Sequence, residues 1–91
     1  MSVAIAVQVF GSEVRVALMS FFRDHPAATQ ADAMAALGFS SPLVSRHLRV
    51  LLELSVVVEQ ASGGGPRPSR YVTDTERVRA LAAALVAHIV D

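Results

Sequence analysis

Hydrophobic residues recur along the chain at spacings that predict a series of short helices and one ribbon of strands. Residues 2–9 alternate branched apolar residues with small or polar ones, the period of a β-strand, although a helix is also compatible with this segment. Ser12 opens a helix that is predicted to end at Asp24, because Pro26 disfavours a helical backbone at His25. The core face of this helix is predicted to consist of Val14, Ala17, Leu18, Phe21 and Phe22.

The middle of the chain predicts two short helices joined by a tight turn. Thr29 caps the first helix, with Asp32 in the position of a capping-box acid. Gly38 accepts the left-handed backbone that ends this helix, and Ser40 caps the next helix, residues 41–54. This second helix has an apolar line of Val44, Leu48 and Leu51 and an opposite polar arc of Pro42, Ser45, Arg46 and Arg49.

A β-ribbon is predicted after this helix. Residues 56–61 and 70–73 read as strands, and the sequence SGGGPRPS between them, residues 62–69, reads as a loop. The loop leaves Arg67 at its tip and Arg70 at its base, where both can reach a phosphate or the minor groove of DNA. A solvated hairpin loop is the alternative interpretation of Arg67.

The last segment predicts a helix that begins with a capping box from Thr73 to Glu76. A terminal helix on a small domain is covered by its own domain along one face only. The apolar surplus therefore predicts a homodimer built from helix 74–90 and helped by residues 2–9. Helical propensity alone would explain the alanines but not Val86 and Val90. The apolar positions are Val78, Leu81, Leu85, Val86, Ile89 and Val90.

The run GFSSPLVSRHLRVL, residues 38–51, resembles the recognition helix of winged helix-turn-helix transcriptional regulators, especially the ArsR-like group. The resemblance covers about residues 10–90 and implies a mainly α fold with a small β-wing (α+β) over one domain, residues 1–91. ArsR-like proteins commonly begin with a helix, which differs from the strand pattern at the N-terminus. Ser55 stands where the family has the glycine that ends the recognition helix, at a cost of about 1 kcal/mol if the backbone there is left-handed.

Composition limits the classes of function. The chain has no cysteine, which excludes disulfides and thiolate metal sites. No apolar run approaches the roughly 18 residues of a membrane span, and residues 1–10 lack the basic start of a signal peptide. We therefore expect a cytoplasmic protein without a membrane partner. The net charge is zero, yet between Ser40 and Thr73 four arginines face only two acids, a local patch that suits a specific reader of DNA.

A metal site is not expected. The zinc-sensing ArsR-like proteins resemble this chain in having acidic and histidine residues early and late on the terminal helix, here Asp74 and Glu76 early and the pair His88 and Asp91 late. The late pair is one residue out of register, however, and one residue turns a helical side chain by about 100°. Zinc also prefers nitrogen and sulfur donors to carboxylates. No catalytic residue and no cofactor are predicted, since no nucleophile with a partner histidine is visible.

These observations predict a sequence-specific repressor whose partner is double-stranded DNA. Helix 41–54 would enter the major groove, and the wing, residues 62–70, would anchor the protein on the flanking backbone. The alternative is a winged-helix module that binds protein rather than DNA, which the neutral net charge permits. The predicted DNA-binding residues are Ser41, Pro42, Ser45, Arg46, Arg49, Arg67 and Arg70.

Overall fold

The computed structural model describes residues 3–60 and 66–91, and within them the chain forms five α-helices and three short β-strands. The strands form one antiparallel sheet in the order β1-β3-β2. This architecture confirms the predicted fold class, mainly α with a small β-wing. In chain order the elements are α1 (Val3–Phe10), α2 (Glu13–Asp24), β1 (Ala28–Thr29), α3 (Gln30–Leu37), α4 (Ser41–Glu53), β2 (Val57–Gln60), β3 (Arg70–Thr73) and α5 (Thr75–Val90).

The predicted strand over residues 2–9 is wrong, because this segment forms helix α1. Ala6 and Val9, which lie three residues apart and so on one side of a helix, are completely buried. A strand would put Val7 on the same face as Val9, yet Val7 is 55% exposed. Since α1 packs against α5 and α2, burial against two helices decides a conformation that the alternating sequence leaves open.

Gly11 permits a sharp bend between α1 and α2. The two helices are bent by 83° at this break, and a Cβ added at Gly11 would lie 2.6 Å from the carbonyl oxygen of Val7. Ser12 then caps α2 by accepting a hydrogen bond from the amide of Arg15, as predicted. Within the described residues no single helix is long and apolar enough to cross a membrane, whereas this bent pair meets both requirements when taken together.

The core lies where α2 and α4 meet the β-sheet and α5. Phe22 of α2 is completely buried, and its ring meets the ring of Tyr71 in β3 edge to face, with centroids 5.6 Å apart. The hydroxyl of Thr73 donates a hydrogen bond of 2.6 Å to the carbonyl oxygen of Met19, so α2 and β3 are joined a second time. The largest fully buried side chains are Phe22, Leu18, Leu51, Leu81, Val9, Val44, Val56 and Val57.

The sheet contains the two predicted strands of the wing and a third strand that the sequence pattern did not reveal. The predicted strand over residues 56–61 is observed as β2, and residues 70–73 form β3. The additional strand is β1, in which Ala28 pairs with Tyr71 and Thr29 pairs with Arg70. Of the predicted loop, residues 66–69 are described and lie outside the strands, whereas its residues 62–65 and the last residue of the predicted strand, position 61, lie outside the described residues.

The capping box predicted from Thr73 to Glu76 is wrong, because α5 is capped by Asp74 instead. The carboxylate of Asp74 accepts a hydrogen bond of 3.1 Å from the amide of Arg77. Thr73 belongs to β3, where it pairs with Val57, and its buried side chain bonds to α2. The threonine cannot serve both as a strand residue directed into the core and as a helix cap. The predicted end of the helix at Val90 agrees with the structure.

Ser55 has a left-handed backbone, with φ of 63°, immediately after the C-cap of α4. Glycine adopts this conformation without steric cost, so Ser55→Gly is expected to raise the free energy of unfolding by about 1 kcal/mol. Urea denaturation at a fixed protein concentration measures the change. Ser20→Gly, at an exposed position inside α2, is the matched control and is expected to lower stability by roughly 0.5 kcal/mol. A shift of the same sign in both variants would contradict the prediction.

Candidate nucleic-acid interface

The turn that leads into α4 is fixed by backbone capping at three positions. The amide of Thr29 donates to the Asp32 carboxylate at 2.9 Å, and the amide of Asp32 donates back to the Thr29 hydroxyl at 3.2 Å. These contacts with the amide and then the side chain of Thr29 lower the pKa of Asp32. Gly38 ends α3 with φ of 71°, and the hydroxyl of Ser40 accepts from the amide of Leu43. The predicted caps of both helices are therefore confirmed.

Helix α4 divides into the two faces that its sequence predicts. The buried face consists of Val44, Leu48 and Leu51, each of which is at most 2% exposed. The opposite side leaves Arg46 and Arg49 exposed, and Ser41 and Pro42 are exposed in the first turn. Within the described part of the chain, neither guanidinium has a hydrogen-bond or ion-pair partner. The helix thus presents two unpaired positive charges on the side that faces away from the core.

Ser45 differs from its neighbours on the polar arc because it is half-buried against α3. Its hydroxyl oxygen accepts a hydrogen bond of 2.7 Å from the side-chain amide of Gln30. Gln30 carries no signal of this contact in the sequence, since only the crossing of α3 and α4 brings together two residues that lie 15 positions apart. This bond joins the first residue of α3, the end farthest from the turn, to the second turn of α4.

His47 is half-buried at the edge of the apolar face of α4. Its Nδ1 atom lies 3.1 Å from Nη1 of Arg15 in α2. Burial lowers the pKa of His47 first, and the charges of Arg15 and Arg46 lower it further. Arg15 was missed by the sequence analysis, because a lone arginine in a helix carries no signal of a partner 32 residues away.

The two arginines of the wing differ in their hydrogen bonds to the described part of the protein. Arg70 lies on β3 and donates from Nη1 to the carbonyl oxygen of Ala27 at 2.9 Å, so it holds the wing to the segment before β1. Arg67 lies in the exposed stretch 66–68 and makes no hydrogen bond to any described residue. The predicted position of Arg67 at the loop tip depends on residues 61–65 and stays a prediction.

The acidic and histidine residues of the terminal helix do not form a cluster that could bind a metal ion. Among residues 3–60 and 66–91, no group of three or more histidine, cysteine or acidic side chains is placed to hold a metal ion. Asp74 already caps the start of α5, whereas His88 lies in its last turn. The two ends of a 16-residue helix are about 24 Å apart, which separates the candidate ligands.

Residues 12–58 match the model of the bacterial regulatory protein arsR family. This stretch includes α2, β1, α3, α4 and the start of β2, and therefore the capped turn and both faces of α4, whereas Arg67 and Arg70 lie beyond it. No curated protein matches the chain.

Two solved structures share the fold over most of the chain. One is a possible transcriptional regulator for arsenical resistance, 24% identical, with a TM-score of 0.75 over 94% of this chain and 85% of that one. The other is a predicted DNA-binding transcriptional regulator from E. coli, 18% identical, with a TM-score of 0.71 over 92% of this chain and 85% of that one. At these identities the likeness concerns the fold alone.

Proposed function

Because this chain belongs to the arsR family of bacterial regulatory proteins and is a DNA-binding transcriptional regulator rather than an enzyme, we propose that it is a cytoplasmic, homodimeric repressor that reads a promoter with α4. The observation that carries the proposal is the exposed side of α4. Arg46 and Arg49 project opposite the buried Val44 and Leu48. The family favours this function over the alternative of a module that binds protein only.

Arg46 is the proposed reader of the base sequence. It lies near the centre of the exposed arc of α4, and a guanidinium there can donate two hydrogen bonds to O6 and N7 of one guanine. Ser41 and Pro42 lie in the first turn of α4, the end that contacts base edges when a recognition helix enters the major groove. Arg49 lies one turn further along, where contact with a base or a phosphate is available.

Contacts with the phosphate backbone would fix the orientation of α4. Ser45 accepts a hydrogen bond from Gln30 and keeps its own O–H, which can donate to a phosphate oxygen. Arg67 and Arg70 of the wing would contact the flanking backbone, where they contribute affinity without reading sequence. Since Arg70 is already bonded to Ala27, its position there is set before DNA binds.

Terminal helix α5 and helix α1 would form the contact between two copies. Val86, Ile89 and Val90 are 56%, 73% and 70% exposed, and Val7 of the adjacent α1 is 55% exposed. An apolar surface shared by two packed helices suits a symmetric contact with the same surface of a second copy. Two recognition helices about 34 Å apart would then enter successive major grooves of a palindromic site.

Replacement of Arg46 and of Arg67 by alanine is expected to have two different effects on DNA binding. A binding site is first obtained by selection from a random DNA library. Arg46→Ala should then lower the affinity for that site by about 1 to 3 kcal/mol and relax the preference at one base pair in each half-site. Arg67→Ala should weaken binding to all sequences and reduce the salt slope by about one unit. Electrophoretic shifts at several salt concentrations measure both effects.

Arg23→Ala is the control for these variants, because Arg23 is exposed on α2 and forms an ion pair with Asp24. It should bind the selected site like the unmodified protein. If Arg67→Ala changed the consensus while Arg46→Ala changed only the overall affinity, the wing would be the reader and the assignment of α4 would be wrong. A protein that selected no DNA sequence at low salt would contradict the proposed function itself.

A further inference from the structure

One arginine side chain connects three helices at the back of the proposed DNA-reading surface. Arg15 lies on α2, and its Nε donates a hydrogen bond of 2.7 Å to the carbonyl oxygen of Gln8 in α1. Its Nη1 lies 3.1 Å from Nδ1 of His47 in α4. The guanidinium is planar and rigid, so the two contacts fix each other's direction. The recognition helix is thereby linked to helix α1 without any residue that faces DNA.

His47 is placed so that this link acts on the proposed reader. It directly follows Arg46, and its half-buried ring lies at the edge of the face that carries the buried Val44 and Leu48. Rotation of α4 about its axis would move His47 and Arg46 together. A bond that holds the His47 ring therefore also sets the direction in which Arg46 leaves the helix.

We propose that Arg15 is a positioning residue for DNA reading, which holds α4 in the rotation that presents Arg46 and which links that rotation to the position of α1. The proposal rests on the proposed function, because α1 forms part of the suggested contact between copies. A shift of α1 moves the Gln8 carbonyl, and Arg15 passes the movement to His47. Assembly and DNA reading are then coupled through a single side chain.

The link requires a neutral histidine. Arginine only donates hydrogen bonds, so Nδ1 of His47 has to accept, and the proton of the neutral ring has to be on Nε2. Burial and the neighbouring Arg15 and Arg46 lower the pKa of His47 and keep the ring neutral at physiological pH. Within the described residues, these two arginines are the charged groups that act on it, one on α2 and one on α4 itself. Protonation would turn Nδ1 of His47 into a donor that faces the N–H of Arg15, and it would add a positive charge near those of Arg15 and Arg46.

The variant Arg15→Met tests the proposal, because methionine keeps an apolar stem and removes both contacts. Affinity for the selected DNA site should fall by about 3- to 30-fold, the range in which residues that touch neither partner change a coupling. The salt slope should stay the same, since no phosphate contact is lost. Arg23→Met, which removes the other arginine of α2, should bind as the unmodified protein does. Unchanged affinity of Arg15→Met, or a salt slope reduced by about one unit, would overturn the proposal.

The pH profile adds a readout that a merely structural contact would not move. Because the pKa of His47 is lowered from the ordinary histidine value of 6.5, binding should weaken only as the pH falls below that value and His47 takes up a proton, although added positive charge alone would strengthen binding to DNA. His47→Gln offers an amide oxygen to Arg15 at every pH, so its affinity should not show this decline. A decline of equal size in His47→Gln would assign the pH effect to another group and overturn this part of the proposal.

Nuclear magnetic resonance of the histidine ring separates a failure of this inference from a failure of the proposed function. In the protein alone, the ring of His47 should carry its proton on Nε2, and its pKa should rise in Arg15→Met because a neighbouring positive charge is lost. A ring protonated on Nδ1 in the unmodified protein would refute the link even where DNA binds. The expected tautomer in a protein that bound no DNA would support the link and refute the proposed function.

Discussion

Phe22→Ala is expected to remove a large part of the stability of the fold. The ring is completely buried and packs edge to face against Phe21 and Tyr71, so it joins α2 to the wing. Replacing a buried phenylalanine by alanine costs about 3 to 5 kcal/mol. A 91-residue chain has a total stability of about 5 to 14 kcal/mol. Urea denaturation at a fixed protomer concentration should show a much lower midpoint at an unchanged m-value.

Phe21→Ala is the matched control for this prediction, since it deletes the same ring from the adjacent position. Phe21 is only half-buried, with one side towards Phe22 and another against the exposed His25. Its loss should cost clearly less than the loss of Phe22, because less apolar area returns to water. Equal costs for the two variants would mean that the core does not centre on α2 as described.

The elements that the sequence predicted well are those whose signals are local. Ser12, Thr29, Gly38 and Ser40 each cap a helix within four residues of their partners, and all four appear in the structure as predicted. The two faces of α4 follow from helical periodicity in the same way. Capping hydrogen bonds and helical spacing depend only on residues that are close together in the sequence, so they can be predicted without the rest of the fold.

The errors occurred where tertiary packing chose between conformations that were locally similar. Residues 2–9 satisfy the period of a strand, but two neighbouring helices bury Ala6 and Val9 together and make the segment helical. Thr73 resembles a helix cap, but its pairing with Val57 and its bond to Met19 assign it to the sheet. Strand β1 is only two residues long and exists because β3 pairs with it.

In the proposed site, too, the features with local signals were predicted and the tertiary contacts were not. The exposed positions of Arg46 and Arg49 followed from the sequence, because burial of the opposite side of α4 leaves them no other direction. The contacts that support the helix from behind did not follow. Arg15 meets His47 and Gln30 meets Ser45 only through the crossing of helices. Sequence periodicity therefore identified the exposed arginines of α4, and the structure added the contacts that hold this helix from behind.

The shape of the domain bears on its assembly. The radius of gyration is 13.6 Å, whereas a compact chain of this length has about 12 Å. The principal extents of 48, 27 and 20 Å show that the excess lies along one axis. Every residue of α5 from Val86 to its end is exposed, although three of these five side chains are large and apolar. A monomer would leave this surface in water, and a second copy would cover it.

Ile89→Glu is expected to convert the proposed dimer into a monomer and to reduce binding to a palindromic site by at least about 100-fold. Ile89 is 73% exposed, so the glutamate costs the isolated domain little. In the proposed contact the same carboxylate would be buried without a charged partner, at a cost of several kcal/mol. Two linked half-sites bind much more tightly than one, so the loss of the dimer should appear in DNA affinity as well as in mass.

Ala80→Glu is the control for the loss of the dimer, because it introduces the same charge at an exposed position of the same helix. Ala80 and Ile89 are nine residues apart, about two and a half turns at roughly 3.6 residues per turn, and so lie on opposite sides of α5. Light scattering at micromolar concentration should give a dimer mass for the unmodified protein and for Ala80→Glu, and a monomer mass for Ile89→Glu. A monomer mass for all three proteins would refute the homodimer. A dimer mass for all three would place the contact on a surface other than this part of α5.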